Sequence, residues 1–147
     1  KALANGLPMG AMLATERAAQ GFALGSHATT FGGTPLVASA AIEVMKIVSD
    51  PGFLEECREK GIHFRQRLLA LKGSHPHIRE VRGEGLLVGV VLDGDPDYGA
   101  SVVEKCLEKG FIINVIQGNI LRFAPPLVIT REEIDALVET LNRILHR

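Results

Sequence analysis

From residue 77 to the end of the chain, short apolar runs and helical patterns follow one another in a tight order: HIREVRG, GLLVGVVLD, a helical stretch over roughly 99–109, FIINVI, QGN, ILRFA and a terminal amphipathic stretch. Strand signals that alternate with helix signals at this spacing predict an α/β domain, a small sheet covered by helices. QGN between two apolar runs predicts a tight hairpin turn. The last element is the best marked. Thr130 and Glu133 form a capping box, Ile129 and Ile134 can staple the helix entry, and Ile134, Leu137, Val138, Leu141, Ile144 and Leu145 share one face.

The first half is organised differently. MGAMLAT at 9–15 is an apolar run with turn residues before it and predicts a buried strand, followed by a helical turn over ERAAQGF. GSHATTFGGTP has no apolar period and predicts a loop. Thr34 and Pro35 then read as the cap and first residue of a helix, with the Thr34 hydroxyl accepting from a free amide. Leu36, Val37, Ala40, Ala41, Val44, Met45 and Val48 keep helical spacing, which predicts a largely buried helix. Asp50 and Pro51 start a second helix that should run to about Leu71, where Gly73 ends it, and the two helices should meet at a bend.

Composition narrows the function. The 147 residues are 46% hydrophobic and carry 16 basic against 17 acidic side chains with no block of like charge. That balance gives no support to a nucleic-acid or membrane partner and favours a small polar one. Cys57 and Cys106 fall in helical segments without a CxxC or a nearby histidine, which predicts reduced thiols and no metal. No run is long enough to span a bilayer and no signal peptide is evident, so a cytoplasmic chain is expected.

Several stretches could carry chemistry. Gly83, Gly85 and Gly89 come close to a dinucleotide fingerprint, but their spacing is wrong and they lead into a strand, so a hairpin turn is expected. His75 and His77 flank Pro76 in what reads as a surface loop, with no third ligand at suitable spacing. Thr29 and Thr30 precede Gly32 and Gly33, which suits a phosphate held by hydroxyls and bare amides, or equally a connection that needs small residues for steric reasons. Arg122 lies where LRFAPPL runs into two prolines, as a carboxylate clamp or a solvated strand-end arginine. Lys1 precedes a turn and an apolar run, as a surface charge or as a desolvated nucleophile for Schiff-base formation.

Four stretches together decide among these alternatives. KALANGLPMGAML at 1–13, GSHATTFGGTPL at 25–36, VRGEGLLVGVVLD at 81–93 and LRFAPPLVIT at 121–130 resemble, in order and rough spacing, the C-terminal part of a class III, fold-type I pyridoxal-phosphate aminotransferase. Within that family the resemblance is greatest to the acetylornithine type, with the ornithine type next. It implies the end of a cofactor-binding large domain at 1–35, linking helices at 36–73 and a small α/β domain at 74–147.

The resemblance also assigns roles. Lys1 matches the lysine that carries pyridoxal 5'-phosphate (PLP) covalently and moves the substrate proton. Thr30 matches the threonine that binds the cofactor phosphate, across a homodimer whose active site is shared. Thr29 matches a substrate-contact position, and Arg122 resembles an arginine near the substrate carboxylate. The implied reaction moves the distal amino group of N2-acetyl-L-ornithine to 2-oxoglutarate, in arginine biosynthesis. Ornithine, succinylornithine and 4-aminobutyrate aminotransferases are close alternatives. A non-catalytic α/β dimerisation or regulatory module is the alternative from outside enzymes. Thr34 stands where the family has Asn, Ala28 where it often has Gly, and ANG at 4–6 replaces a glycine-rich run. The rest of the family's cofactor site belongs upstream of the lysine, so the resemblance implies a fragment that does not transaminate by itself.

Overall fold

A computed structural model describes residues 2–145. Nine elements follow in chain order: α1 (Glu16–Ala19), α2 (Pro35–Val48), α3 (Pro51–Ser74), β1 (Ile78–Glu84), β2 (Leu87–Leu92), α4 (Pro96–Glu108), β3 (Asn114–Ile116), β4 (Ile120–Phe123) and α5 (Arg131–Leu145). The chain forms two compact units that divide after Leu54, in the first turn of α3.

In the first unit the ANG stretch makes a tight turn. Asn5 and Gly6 both take left-handed conformations, with φ of 50° and 100°, and the Leu7 amide donates to the Ala4 carbonyl at 3.1 Å. Asn and Gly are the residues that reach this region at least cost. Ala4 is buried with Val37 and Ala41 of α2, and Leu3 and Met9 pack against them.

The strand expected at 9–15 does not form. Residues 9–15 have no strand conformation, Met12 is 67% exposed and Leu13 is fully exposed. A strand needs a ladder partner for its amides and carbonyls, and all four strands pair with one another in a sheet of the second unit. The predicted burial of α2 also needs correction. Val37 and Ala41 alone are buried, while Leu36, Ile42, Met45 and Ile47 are exposed. Helical periodicity records that a face is apolar and not what covers it. The helical turn α1 forms as expected, with the Ala18 amide on the Thr15 hydroxyl.

The second unit holds a four-stranded antiparallel sheet in the order β1-β2-β4-β3. One face carries Val88, Val90 and Leu92 of β2 with Leu121 and Phe123 of β4. These join Phe64 and Leu68 of α3, Val102 and Cys106 of α4, and Ile134, Leu137 and Leu141 of α5 in one core. Two glycines set how closely elements approach. A Cβ at Gly61 of α3 would lie 2.5 Å from the Gly85 carbonyl oxygen, and one at Gly99 of α4 would lie 2.3 Å from that of Gly118. Both helices therefore rest directly on hairpin turns.

Those turns are the ones expected. Gly83 and Gly85 have φ of 133° and 53° around the β1–β2 reversal, and Gln117 and Gly118 have φ of 53° and 76° between β3 and β4. The capping box of α5 closes in both directions, with the Thr130 amide on a Glu133 carboxylate oxygen at 2.8 Å and the Glu133 amide on the Thr130 hydroxyl at 3.2 Å. Asp135 of α5 joins the helix to α3 through His63 at 2.9 Å and Arg67 at 2.8 Å.

Boundaries and contacts depart from expectation in four places. α4 starts at Pro96, capped by Asp95. β3 is only Asn114–Ile116, because its partner β4 soon runs into Pro125 and Pro126, which have no amide to offer. α3 passes through Gly73 to Ser74. Pro76 disfavours a helical His75, and this sets the stop. His75 is not on the surface: it is 2% exposed, with Nε2 2.7 Å from Asn142 Oδ1.

Candidate functional site

The loop before α2 is shaped by its own small residues. The Gly32 amide donates to the Thr29 hydroxyl oxygen at 3.1 Å. A Cβ at Gly32 would lie 2.8 Å from Thr29 Cγ2, and Gly33 has φ of 74°, so both glycines are needed for the turn. Thr29 is thus committed as an acceptor and keeps its hydroxyl proton to donate. Thr30 is exposed, and neither its hydroxyl nor the amides of Thr30, Phe31 and Gly33 have a hydrogen-bond partner among the described residues.

The helix that follows adds donors to this group. Thr34 has the extended conformation of a cap and its carbonyl accepts from Ala38 at 2.8 Å, but its hydroxyl makes no capping bond. The predicted side-chain cap is therefore corrected. Pro35 has no amide to satisfy, and the amides of Leu36 and Val37 remain without partners among the described residues. An exposed hydroxyl next to several unbonded amides and a positive helix end is a donor set for a phosphate group.

Arg122 lies in the second unit, on β4. Its register partners are Gly89 of β2 and Asn114 of β3, and its side chain is exposed with no carboxylate partner among the described residues. It borders a groove of about 570 Å³ lined also by Phe111, Ile113, Phe123, Pro125 and Ile129. The loop beyond the two prolines is tied to α3, where Lys60 Nζ donates to the Leu127 carbonyl at 2.8 Å and the Cys57 thiol approaches the same oxygen at 3.7 Å. A guanidinium on a fixed strand beside an apolar groove can hold the carboxylate of a small molecule.

Thr29 and Thr30 are neighbours in the first unit and Arg122 stands in the second. Lys1 lies outside the described residues. Among the described residues no cluster of histidine, cysteine and acidic side chains could hold a metal ion, and no helix is long and apolar enough to cross a membrane. The pairing of Arg122 with Gly89 had no signal in local sequence, because cross-strand register joins positions 33 residues apart.

The family model of the class-III aminotransferases matches residues 1–145, and the chain belongs to that family. It is 44% identical over 145 residues to the acetylornithine aminotransferase of Caldanaerobacter subterraneus subsp. tengcongensis, covering 99% of this chain and 36% of that protein. The acetylornithine aminotransferase of Methanocaldococcus jannaschii is 41% identical over 144 residues, covering 98% and 35%. The chain thus spans about a third of the length of these relatives.

Solved structures agree on the fold. The ornithine delta-aminotransferase of Plasmodium falciparum superimposes with a TM-score of 0.80 at 29% identity, over 90% of this chain and 34% of that one. The acetylornithine aminotransferase of Elizabethkingia anophelis gives 0.77 at 31%, over 90% and 34%. An ornithine aminotransferase from Toxoplasma gondii, described with partial occupancy of PLP at its active site, gives 0.72 at 35%, over 82% and 29%. The expected α/β fold of a fold-type I aminotransferase is borne out over the stretch that the chain spans.

Proposed function

We propose that this chain is part of an acetylornithine aminotransferase, a PLP-dependent enzyme that moves the distal amino group of N2-acetyl-L-ornithine to 2-oxoglutarate in arginine biosynthesis. The observation that carries the choice of donor is the 44% identity to an acetylornithine aminotransferase across 99% of the chain. Residues 1–35 are then the end of the cofactor-binding large domain, 36–73 the linking helices and 74–147 the small domain. The working unit is a cytoplasmic homodimer with a shared active site.

The residues present fit the cofactor. The free hydroxyl of Thr30 and the unbonded amides of the Thr29–Gly33 turn and the start of α2 match a phosphate dianion in charge and donor type. Lys1 would hold the group covalently through Nζ until the substrate amine displaces it and leaves Nζ a free amine. Bound PLP supplies an electron sink for the pair left behind when a substrate carbon–hydrogen bond breaks. The chain's own part is to place and move a proton: Lys1 Nζ receives it from the substrate carbon and returns it, as general base and then general acid. Thr29 offers its hydroxyl proton to the substrate, and Arg122 holds a substrate carboxylate.

The gene product, assayed with 2-oxoglutarate as acceptor, should use acetylornithine with a kcat/KM at least about 10-fold above those for ornithine and 4-aminobutyrate. Preference for 4-aminobutyrate would refute the assignment. Preference for ornithine would support a second reading, favoured by the TM-score of 0.80 with an ornithine enzyme.

A further inference from the structure

Asn5 is the only one of the four asparagines in the chain that is followed by glycine. The side-chain carbonyl carbon of an asparagine is open to attack by the backbone nitrogen of the next residue, and a glycine there brings no side chain to obstruct it. The other three precede Val115, Ile120 and Arg143, whose side chains shield the amide. They are also held in place: Asn114 lies in β3, Asn119 donates its side-chain amide to the Leu92 carbonyl at 3.3 Å, and Asn142 Oδ1 is 2.7 Å from His75 Nε2.

At Asn5 the structure offers no such restraint. Asn5 and Gly6 are both exposed, and a Cβ built on Gly6 would meet nothing within 4 Å, so a ring closed between the two residues has room. Neither the Gly6 amide nor the Asn5 side chain makes a hydrogen bond among the described residues. The Asn5 amide donates to the Ala2 carbonyl at 3.2 Å and the Leu7 amide to the Ala4 carbonyl at 3.1 Å, and neither bond engages the reacting atoms. Asn5 has φ of 50°, a conformation unfavourable to an L residue, and Gly6 adopts whatever backbone angles the ring needs.

We infer that Asn5 is a site of spontaneous deamidation, which converts the turn beside Lys1 to an aspartyl or isoaspartyl form as the protein ages. The Gly6 amide nitrogen gives up its proton and bonds to Asn5 Cγ, the Cγ–Nδ2 bond breaks, and ammonia leaves with that proton. Water then opens the cyclic imide. Breaking the bond from the Gly6 nitrogen to Cγ gives aspartate; breaking its bond to the Asn5 backbone carbonyl carbon gives isoaspartate, with the main chain routed through the former side chain. The sum is asparagine and water to acid and ammonia, with no oxidant or cofactor.

Either product adds a negative charge four residues from Lys1, and isoaspartate lengthens the backbone between Ala4 and Leu7 by one carbon. The Leu7–Ala4 hydrogen bond spans that insertion, and Ala4 is buried against Val37 and Ala41 of α2. The lengthened turn cannot keep both contacts, so isoaspartate at this position should weaken PLP binding. That consequence rests on the reading of Lys1 as the cofactor lysine; the modification itself does not.

The test keeps the gene product for weeks in warm neutral buffer, digests it with trypsin and follows the peptide of residues 2–17 by mass spectrometry. A gain of about 1 Da on Asn5 should accumulate at least about 10-fold faster than on Asn114, Asn119 or Asn142, and isoaspartate methyltransferase should label the same peptide. Conversion of Asn5 no faster than that of the others overturns the inference. Asn5→Gly suits the positive φ and should fold and stay unmodified. In fluorescence titration the aged parent should bind PLP about 3- to 10-fold more weakly than Asn5→Gly aged beside it. Equal affinity with Asn5 converted overturns the effect on the cofactor. If borohydride reduction places PLP on another lysine, the reading of Lys1 fails, while the mass of the peptide still decides the modification.

Discussion

Thr29 and Thr30 stand side by side and do different work. Thr29 accepts the Gly32 amide and holds the turn, whereas Thr30 projects a hydroxyl with no partner among the described residues. Hydrogen bonds to a charged phosphate contribute about 1.5–3 kcal/mol each, so Thr30→Ala should weaken PLP binding by roughly 10- to 100-fold, and Thr30→Ser should retain it. Fluorescence titration of the gene product with PLP measures both. Cys106 offers a second test at this scale. Burial pushes its thiol up from 9.0 to about 11, so the folded chain keeps a proton there that the unfolded chain releases. Stability should therefore fall as the pH rises from 9 towards 11, and Cys106→Ala should flatten that slope in thermal melts. Alkylation followed by mass spectrometry should label Cys57, which is partly exposed, before Cys106, which is fully buried.

Among the elements, the hairpin turns bear the helices. Gly61 and Gly99 let α3 and α4 rest on the Gly85 and Gly118 carbonyls, so an alanine at either position forces the helix off its turn. Each change should cost about 1–3 kcal/mol by overpacking, although alanine favours a helix, and urea denaturation reads the loss. Thr130→Ala opens the capping box and should cost about 1 kcal/mol. The contrast between α5 and residues 9–15 shows what local sequence can carry. Every signal for α5, its cap, staple and apolar face, lies within its own length, and all of them recur in the structure. MGAMLAT has equally strong burial tendency but no ladder partner among the described residues, and a pattern does not name its partner. His75 illustrates the same limit, because its hydrogen-bond partner Asn142 stands 67 residues away. Thr29, Thr30 and Arg122 were legible as candidates from residue type and setting. The pairing of Arg122 with Gly89 was not, because it depends on register between two strands.

At the scale of the molecule, the two units differ in how much they bury. The second has a continuous core that joins its sheet to three helices, while the first buries Ala4, Val37 and Ala41 and leaves Leu13, Leu24 and Phe31 exposed. Hydrogen exchange on the 147-residue chain should be slowest in β2 and β4 and fast over residues 9–33; equal protection of both would contradict this division. The central assignment is Lys1. The gene product, saturated with PLP, reduced with borohydride and digested, should yield one pyridoxyl-modified peptide with the modification on Lys1. A modification on any other lysine, or none at all, would contradict it.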